Sequence, residues 1–458
     1  MVNFFLRQNI YHTILILVTS LLFAIRFIAK NEYANLDNIL ALRIVQLIEE
    51  GFSLYRDIQT SLSPFYVLIL RIVFFINQSL VALAVLGYLI SLLAIFLIIQ
   101  IFEKHDVFPQ KQAFHYFFAA IWLIITDDLV LLSTEKIGFI FSLKGFDTFI
   151  DHFKIKVSDE QRYKMGFWYG LASIFHHSFV ILFILSVGFL VVSSSITLRC
   201  YLLLFIAFLS PFFYTFLFFW VNGSGKDFLT EFFSTEFNSD LMNLKTYVSW
   251  YYFLFAGLFS FLFSMSLILT NLQSSLKNFL LFWLLSFGVI KEVVFPQLSL
   301  VILLPPMLYF YPYFILSMKK NKAKELVLIL TVFLSFAVLA LQTMNNDNSN
   351  SKYVQKFTLD SEKWMVIGND WPIYVSKKAA LPFWNHKEIK KLCEQEVDLI
   401  TIANWHHWIT LYSPDVIYDP LECLKKVSNF LPILHQAYVR NNIEKKYLKK
   451  NETCNKNY

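Results

Sequence analysis

Residues 79–102 read SLVALAVLGYLISLLAIFLIIQIF, a predominantly apolar stretch without one charged side chain. A helix needs about 20 residues to cross the hydrocarbon core of a bilayer, and this run exceeds that. The rest of the chain has the same character. Of 458 residues, 57% are hydrophobic and 16% charged, with 51 Phe and 23 Tyr against 12 Gly and 12 Pro. Mean hydropathy is +0.54. A soluble domain runs at about 45–50% apolar and about 25% charged. Disorder, collagen, a disulfide mini-domain and a free cytosolic enzyme are excluded on these numbers. The net charge of +6 is not a nucleic-acid signal, because the Lys residues lie between apolar runs and in the tail.

Outward from that stretch, apolar runs recur at about Tyr11–Ala29, Ala113–Thr126, Leu129–Ile150, Gly166–Phe179, Val180–Ile196, Tyr201–Val221, Trp250–Thr270, Phe279–Ile290, Leu298–Met318 and Leu326–Leu341. With Ser79–Phe102 these make about eleven transmembrane helices. The first has no small-residue cleavage site and reads as a retained helix. The run 166–196 is too long for one span, and His176-His177-Ser178 is its natural hairpin. Lys154, Lys156, Arg162, Lys164, Arg199, Lys277, Lys319, Lys320, Lys322 and Lys324 fall in loops of one parity, which the positive-inside rule assigns to the cytoplasm. The N-terminus is then cytoplasmic. Segments 30–64, 127–136 and 222–249, and everything beyond 343, are extracytoplasmic.

From 343 the composition shifts. Residues 345–351, Asn-Asn-Asp-Asn-Ser-Asn-Ser, read as part of a linker over 343–351 between a membrane domain (1–342) and a small extracytoplasmic α/β domain (352–458). In that domain Trp364–Ile367 reads as a strand, His386–Cys393 as a short helix, and Asp398–Ile402 and Pro414–Tyr418 as two more strands. A Lys/Asn-rich end follows after about Asn441. Cys393 and Cys423 both lie in this domain and are able to pair in an oxidising compartment. No internal repeat, phosphate-binding glycine loop or zinc-type His/Cys spacing is visible.

The first extracytoplasmic loop, 31–78, carries the most chemistry. Asp37 precedes a mixed apolar and charged helix over 39–50, which suits a membrane surface. Gly51-Phe52-Ser53-Leu54-Tyr55-Arg56-Asp57 and Ser63-Pro64-Phe65-Tyr66 follow. The run Phe65–Ile76, short and interrupted by Arg71, reads as interfacial. A carboxylate at such a boundary takes a proton from an acceptor hydroxyl, and a guanidinium grips a phosphate bidentately.

That order resembles the GT-C glycosyltransferases, most of all the protein mannosyltransferase and aminoarabinose transferase branch, which uses polyprenyl-phosphate sugars. The likeness rests on Asp37-Asn38, on Gly51 with Tyr55-Arg56-Asp57, and on Pro64-Phe65-Tyr66. Weaker fragments are Gly166-Phe167-Trp168-Tyr169-Gly170-Leu171-Ala172, Leu303-Leu304-Pro305-Pro306 and Val366-Ile367-Gly368-Asn369-Asp370. The chain departs from the pattern at Asn38 and Leu62, at His176 or His177 where the family often has Lys, and in lacking a His-Tyr before the late Pro-Pro.

The resemblance implies an all-α polytopic membrane fold of GT-C type and an inverting transfer. The sugar would leave a polyprenyl-phosphate donor for a cell-envelope lipid, glycan or protein. Asp37 would be the base. Arg56, Asp57, Tyr55, His176 and His177 would hold the donor and its lipid phosphate, with Asp127, Asp128 and Glu135 as acidic candidates on the second loop. No cofactor is indicated; a divalent metal serves some branches of the family. The Lys/Asn/Ile/Phe-rich composition suggests an AT-rich bacterial genome and hence an inner membrane, with an endoplasmic-reticulum enzyme as the alternative.

Each residue also has a plainer reading. Asp37 suits a helix N-cap, Arg56 a side chain snorkelling to the interface, and Asp57 a turn cap. Asp127, Asp128 and Glu135 suit a solvated loop end, and the His pair a polar hairpin. Lys144 and Asp147, at i and i+3, suit a mutual pair. In Trp405-His406-His407-Trp408 neighbouring His diverge, so a shared metal is disfavoured, and the Trp rings suit sugar stacking. Two rival functions remain open: a transporter or flippase of lipid-linked glycans, and a non-catalytic membrane subunit with an interaction tail.

Overall fold

The computed structural model describes residues 36–58, 60, 62–76, 80–105, 114–125, 132–153, 157–193, 197–234, 304–318, 322–327, 363–366, 378–380, 399–419, 422–441 and 446–449, with isolated positions 18, 20, 21, 24, 25, 279, 280, 283, 329 and 333. The described chain is mostly helical, with one small sheet. It divides into two compact units. The first holds Met1–Tyr33, Val81–Gly225 and Phe233–Asp347; the second holds Ala34–Leu80, Lys226–Phe232 and Asn348–Tyr458. The first loop and the C-terminal region, far apart in sequence, thus belong to one unit.

The first unit is a helical bundle built from α3 (Leu80–Lys104), α4 (Phe114–Ile125), α5 (Thr134–Asp151), α6 (Asp159–Phe175), α7 (Phe179–Ser193), α8 (Leu198–Val221) and α10 (Leu304–Ser317). Among the described residues, Val81–Lys104 and Leu198–Val221, each 24 residues, are long and apolar enough to cross a membrane. At 1.5 Å per residue each is about 36 Å long. Pro64–Ile76 and Phe179–Val192 are shorter apolar helices. The expected spans Trp250–Thr270 and, apart from isolated positions, Tyr11–Ala29, Phe279–Ile290 and much of Leu326–Leu341 lie outside the described residues.

Two starts differ from the hydropathy reading. Helix α5 begins at Thr134, not Leu129, because the Ser133 hydroxyl caps it by accepting from the Lys136 amide at 3.2 Å. Helix α6 begins seven residues before Gly166. Ser158 and Gln161 form a reciprocal capping box, so Arg162 and Lys164 sit on helix rather than loop. A hydropathy window registers the apolar half of such a helix and misses its polar first turns.

Helix α6 packs between α5 and α8, and glycines set the spacing. A Cβ on Gly166 would overlap the Leu204 carbonyl oxygen, and one on Gly170 the Phe208 carbonyl oxygen. This is the close backbone approach that small residues four apart permit. On the other side a Cβ on Gly145 would stand 3.0 Å from the Tyr169 ring, and one on Gly138 2.7 Å from the Phe179 ring. The buried Tyr169 hydroxyl accepts from Ser186 of α7 at 3.1 Å. Phe183 of α7 stacks on Phe208 of α8 at 4.2 Å, and Phe118 of α4 meets Tyr311 of α10 edge-on at 4.3 Å.

The C-terminal ends of α3 and α5 are joined by charge. Lys104 Nζ and His105 Nε2 each lie 2.8 Å from Asp147 Oδ1, and Lys104 Nζ lies 3.5 Å from Asp151 Oδ2. The expected Lys144–Asp147 pair is therefore corrected: Asp147 pairs across helices and Lys144 is exposed. Beyond the next turn, Arg199 of α8 bonds Asp159 of α6 at 3.0 Å.

The second unit contains α1 (Leu36–Glu49), α2 (Pro64–Ile76), the Lys226–Phe232 part of α9 (Gly225–Ser234), and a mixed sheet. Ala41, Leu42, Ile44, Val45 and Leu47 of α1 are buried, as are Tyr66, Val67 and Leu70 of α2, and Arg71 Nε meets Glu49 Oε1 at 2.5 Å. The opposite face of α2 exposes Phe65, Leu68, Ile72, Phe75 and Ile76. The sheet has the order β2-β1-β3-β5-β4, from β1 (Lys363–Val366), β2 (Lys378–Ala380), β3 (Val416–Tyr418), β4 (Tyr438–Asn441) and β5 (Lys446–Lys449). Strand β1 pairs parallel with β2 and β3; β5 pairs antiparallel with β3 and β4. Helices α11 (Leu399–Tyr412), α12 (Cys423–Val427) and α13 (Pro432–Ala437) complete it.

Three tail expectations change. Asp398–Ile402 is not a strand; α11 begins at Leu399, and Ile402, Trp405, Trp408 and Ile409 fall on one buried helical face. A five-residue window holding Ile and Thr cannot display that period. The Lys/Asn-rich end carries β5, anchored by buried Tyr447. Trp405 and Trp408 are buried edge-to-face at 5.6 Å, so they are core rather than a sugar platform, and the exposed side of the helix holds His406 and His407. The expected helix His386–Cys393 lies outside the described residues. Cys423 is disulfide-bonded, and its partner lies outside them too.

Candidate functional site

The Tyr-Arg-Asp motif is a closed turn. Helix α1 ends at Glu49, and two residues on stands Gly51, whose φ of 99° suits a residue without a Cβ. The chain then folds on itself. The Ser53 amide donates to Asp57 Oδ2 at 2.8 Å, the Asp57 amide donates to the Ser53 carbonyl at 3.0 Å, and the Tyr55 amide donates to the Ile58 carbonyl at 3.0 Å. Tyr55 and Ile58 point inward and are buried; Arg56, between them, points out with 65% of its side chain exposed. Its Nε lies 3.9 Å from Asp57 Oδ1, the outer limit of an ion pair.

Tyr55 holds the turn. Its φ is 68°, the left-handed region that bulky residues avoid. Such a conformation costs about 1–3 kcal/mol. Burial of the ring returns about 2 kcal/mol, and the hydroxyl donates to the Leu62 carbonyl at 2.6 Å. The ring lies edge-on to Phe228 at 5.3 Å and to Phe232 at 6.5 Å. Burial pushes the phenol well above its ordinary pKa. Tyr55 is 1% exposed, and the Asp57 carboxylate accepts from the Ser53 amide in closing the turn. Arg56 alone of the three faces out.

Asp37 stands on the first turn of α1, and the surroundings of its carboxylate lie outside the described residues, as do Asp127 and Asp128.

The second constellation is in the bundle. His176 ends α6, and His177 and Ser178 turn the chain into α7, so the expected hairpin is present. His176 Nε2 lies 3.2 Å from Glu135 Oε1, on the first turn of α5, and both side chains are mostly buried. A carboxylate at a helix N-terminus is favoured by the helix dipole. His177 is buried against Phe233 at 5.6 Å. Beside Glu135, Lys136 is buried to 1% exposure, and it was not singled out by sequence. Its one visible signal is its place two residues inside a Ser-capped helix start, which reveals position but not burial. Among the described residues no three His, Cys, Asp or Glu side chains converge to hold a metal ion.

No protein-family model and no curated protein matches this chain.

Proposed function

We propose that the protein is a multi-pass membrane glycosyltransferase of GT-C type that moves a sugar from a polyprenyl-phosphate donor to a cell-envelope lipid, glycan or protein. The observation that carries the reading is Arg56: an outward guanidinium on a turn closed by its own neighbours, within the unit that also contains Asp37. The closed turn presents the guanidinium outward, and its planar fork suits phosphate oxygens.

In the reaction the acceptor oxygen attacks the anomeric carbon while the bond from that carbon to the lipid-phosphate oxygen breaks. The acceptor proton passes to the Asp37 carboxylate. The departing phosphate gains a negative charge, which Arg56 stabilises. About eleven membrane helices would carry the site on the extracytoplasmic side, in a bacterial inner membrane. The two long apolar helices and the disulfide at Cys423 support that placement, since disulfides persist in oxidising compartments.

Mass spectrometry of envelope lipids and glycans tests it in cells carrying wild type, a deletion, Asp37→Asn or Arg56→Ala. Loss of one fixed sugar mass in the deletion and in Asp37→Asn supports the transferase. An altered glycan profile in the deletion with normal transfer by Asp37→Asn overturns the assignment of the base and favours a carrier or scaffold.

A further inference from the structure

We propose that Tyr55, held by Phe228 and Phe232 of α9, is the positioning residue of Arg56, so that the segment around α9 sets the reach of the phosphate grip. The inference rests on the proposed role of Arg56, and its test separates the two.

The starting point is the choice of residue. A backbone at φ 68° is open to glycine without steric cost, yet tyrosine stands there. Glycine would relax the turn and leave it without an anchor. Every part of Tyr55 is engaged. The amide donates to Ile58, the hydroxyl donates to Leu62 just before α2, and the ring meets two phenylalanines. Phe228 and Phe232 are one helical turn apart, buried, and stacked on each other at 5.0 Å. They form a single apolar wall, and Tyr55 is set edge-on against it, the geometry that aromatic quadrupoles favour.

The inversion of φ at Tyr55 sends its side chain inward and makes Arg56 the apex. With Tyr55 fixed at amide, ring and hydroxyl, the Arg56 Cα has little room to move. The Ser53–Asp57 bonds close the turn but are local and exposed, and they fix its shape rather than its place. The wall comes from a helix 173 positions later in the chain (228 − 55), so placement of Arg56 is a tertiary property. Tyr55 needs no contact with substrate to affect transfer.

The test uses the full-length protein in nanodiscs. Hydrogen–deuterium exchange of segment 53–58 is compared in wild type, Phe232→Ala and the milder Phe232→Leu. We expect about tenfold faster exchange in that segment for Phe232→Ala, a smaller gain for Phe232→Leu, and unchanged protection in α5–α8. Unchanged exchange at 53–58 in both variants overturns the clamp. In the transfer assay, Phe232→Ala should lower kcat about tenfold alone and add nothing when combined with Arg56→Ala, because it acts through Arg56. Additive losses overturn the positioning role. Faster exchange in a protein whose wild type transfers no sugar leaves the clamp standing as structure and overturns the transferase reading and, with it, the role of Arg56.

Discussion

The turn at 53–58 and the hairpin at 176–178 both break the apolar pattern, and they place charge in opposite ways. In the turn the buried elements are Tyr55 and Ile58, and the cation faces outward. In the hairpin the ionisable groups themselves are inside: Glu135 with His176, and His177 and Lys136 buried nearby. The first arrangement suits a ligand that arrives with its own charge. The second satisfies charge within the fold, where removing one member leaves its neighbour desolvated. An exposed guanidinium is cheap to keep and cheap to lose for stability. A mostly buried carboxylate is neither.

The contrast breaks hardest in the helix that leads to the hairpin. Gly170→Leu drives a side chain into the Phe208 carbonyl, and we expect a loss of about 3 kcal/mol or more and little monodisperse protein by fluorescence size-exclusion chromatography. Arg56→Ala should do the reverse, lowering transfer about 100-fold with an unchanged melting temperature. If that variant loses stability instead, the turn and the hairpin are not different in kind. Glu135→Gln should cost about 2 kcal/mol in thermal unfolding through its bond to His176. Little change in melting temperature would mean that the pair is as dispensable as an exposed one.

The smallest expected effect sharpens the comparison by pH. The Tyr55 phenol is raised by burial in the folded protein, while in the unfolded chain it titrates near its ordinary value of about 10. Its contribution is whole below pH 10 and is lost as pH rises from there toward the folded value. Tyr55→Phe removes the bond to Leu62 and should cost about 1 kcal/mol at pH 8. It should also be spared the alkaline loss, so the two melting temperatures converge above pH 10. Curves that stay parallel to pH 11 would sink this account of Tyr55.

Legibility followed the range of the interactions. The hairpin at His176-His177-Ser178, the helices Leu80–Lys104 and Leu198–Val221, and strands β1 and β3 were read within one to three residues, because each is signalled by apolar runs or local turn chemistry. The start of helix α11 reads as a strand in sequence because Ile402, Trp405 and Ile409 reveal their period only over a longer window. Sequence spacing pairs Asp147 with Lys144, three residues away, while the bundle supplies Lys104 and His105. In the site, Arg56 was legible as a cation in a loop. That Tyr55 is an anchor, that Asp57 closes a turn, and that Lys136 is buried were not, since no pattern along the chain states what lies on the far side of a residue.

By itself, then, the amino-acid order determines an apolar, helix-rich chain with charges gathered in its loops, because hydrophobic period and capping act over one or two turns. Tertiary structure decided that the first loop and the tail share a unit, that Glu135 meets His176, and that Phe228 and Phe232 wall in Tyr55. Those outcomes depend on which distant surfaces exclude one another's solvent and satisfy one another's polar groups, a choice made by the folded chain as a whole.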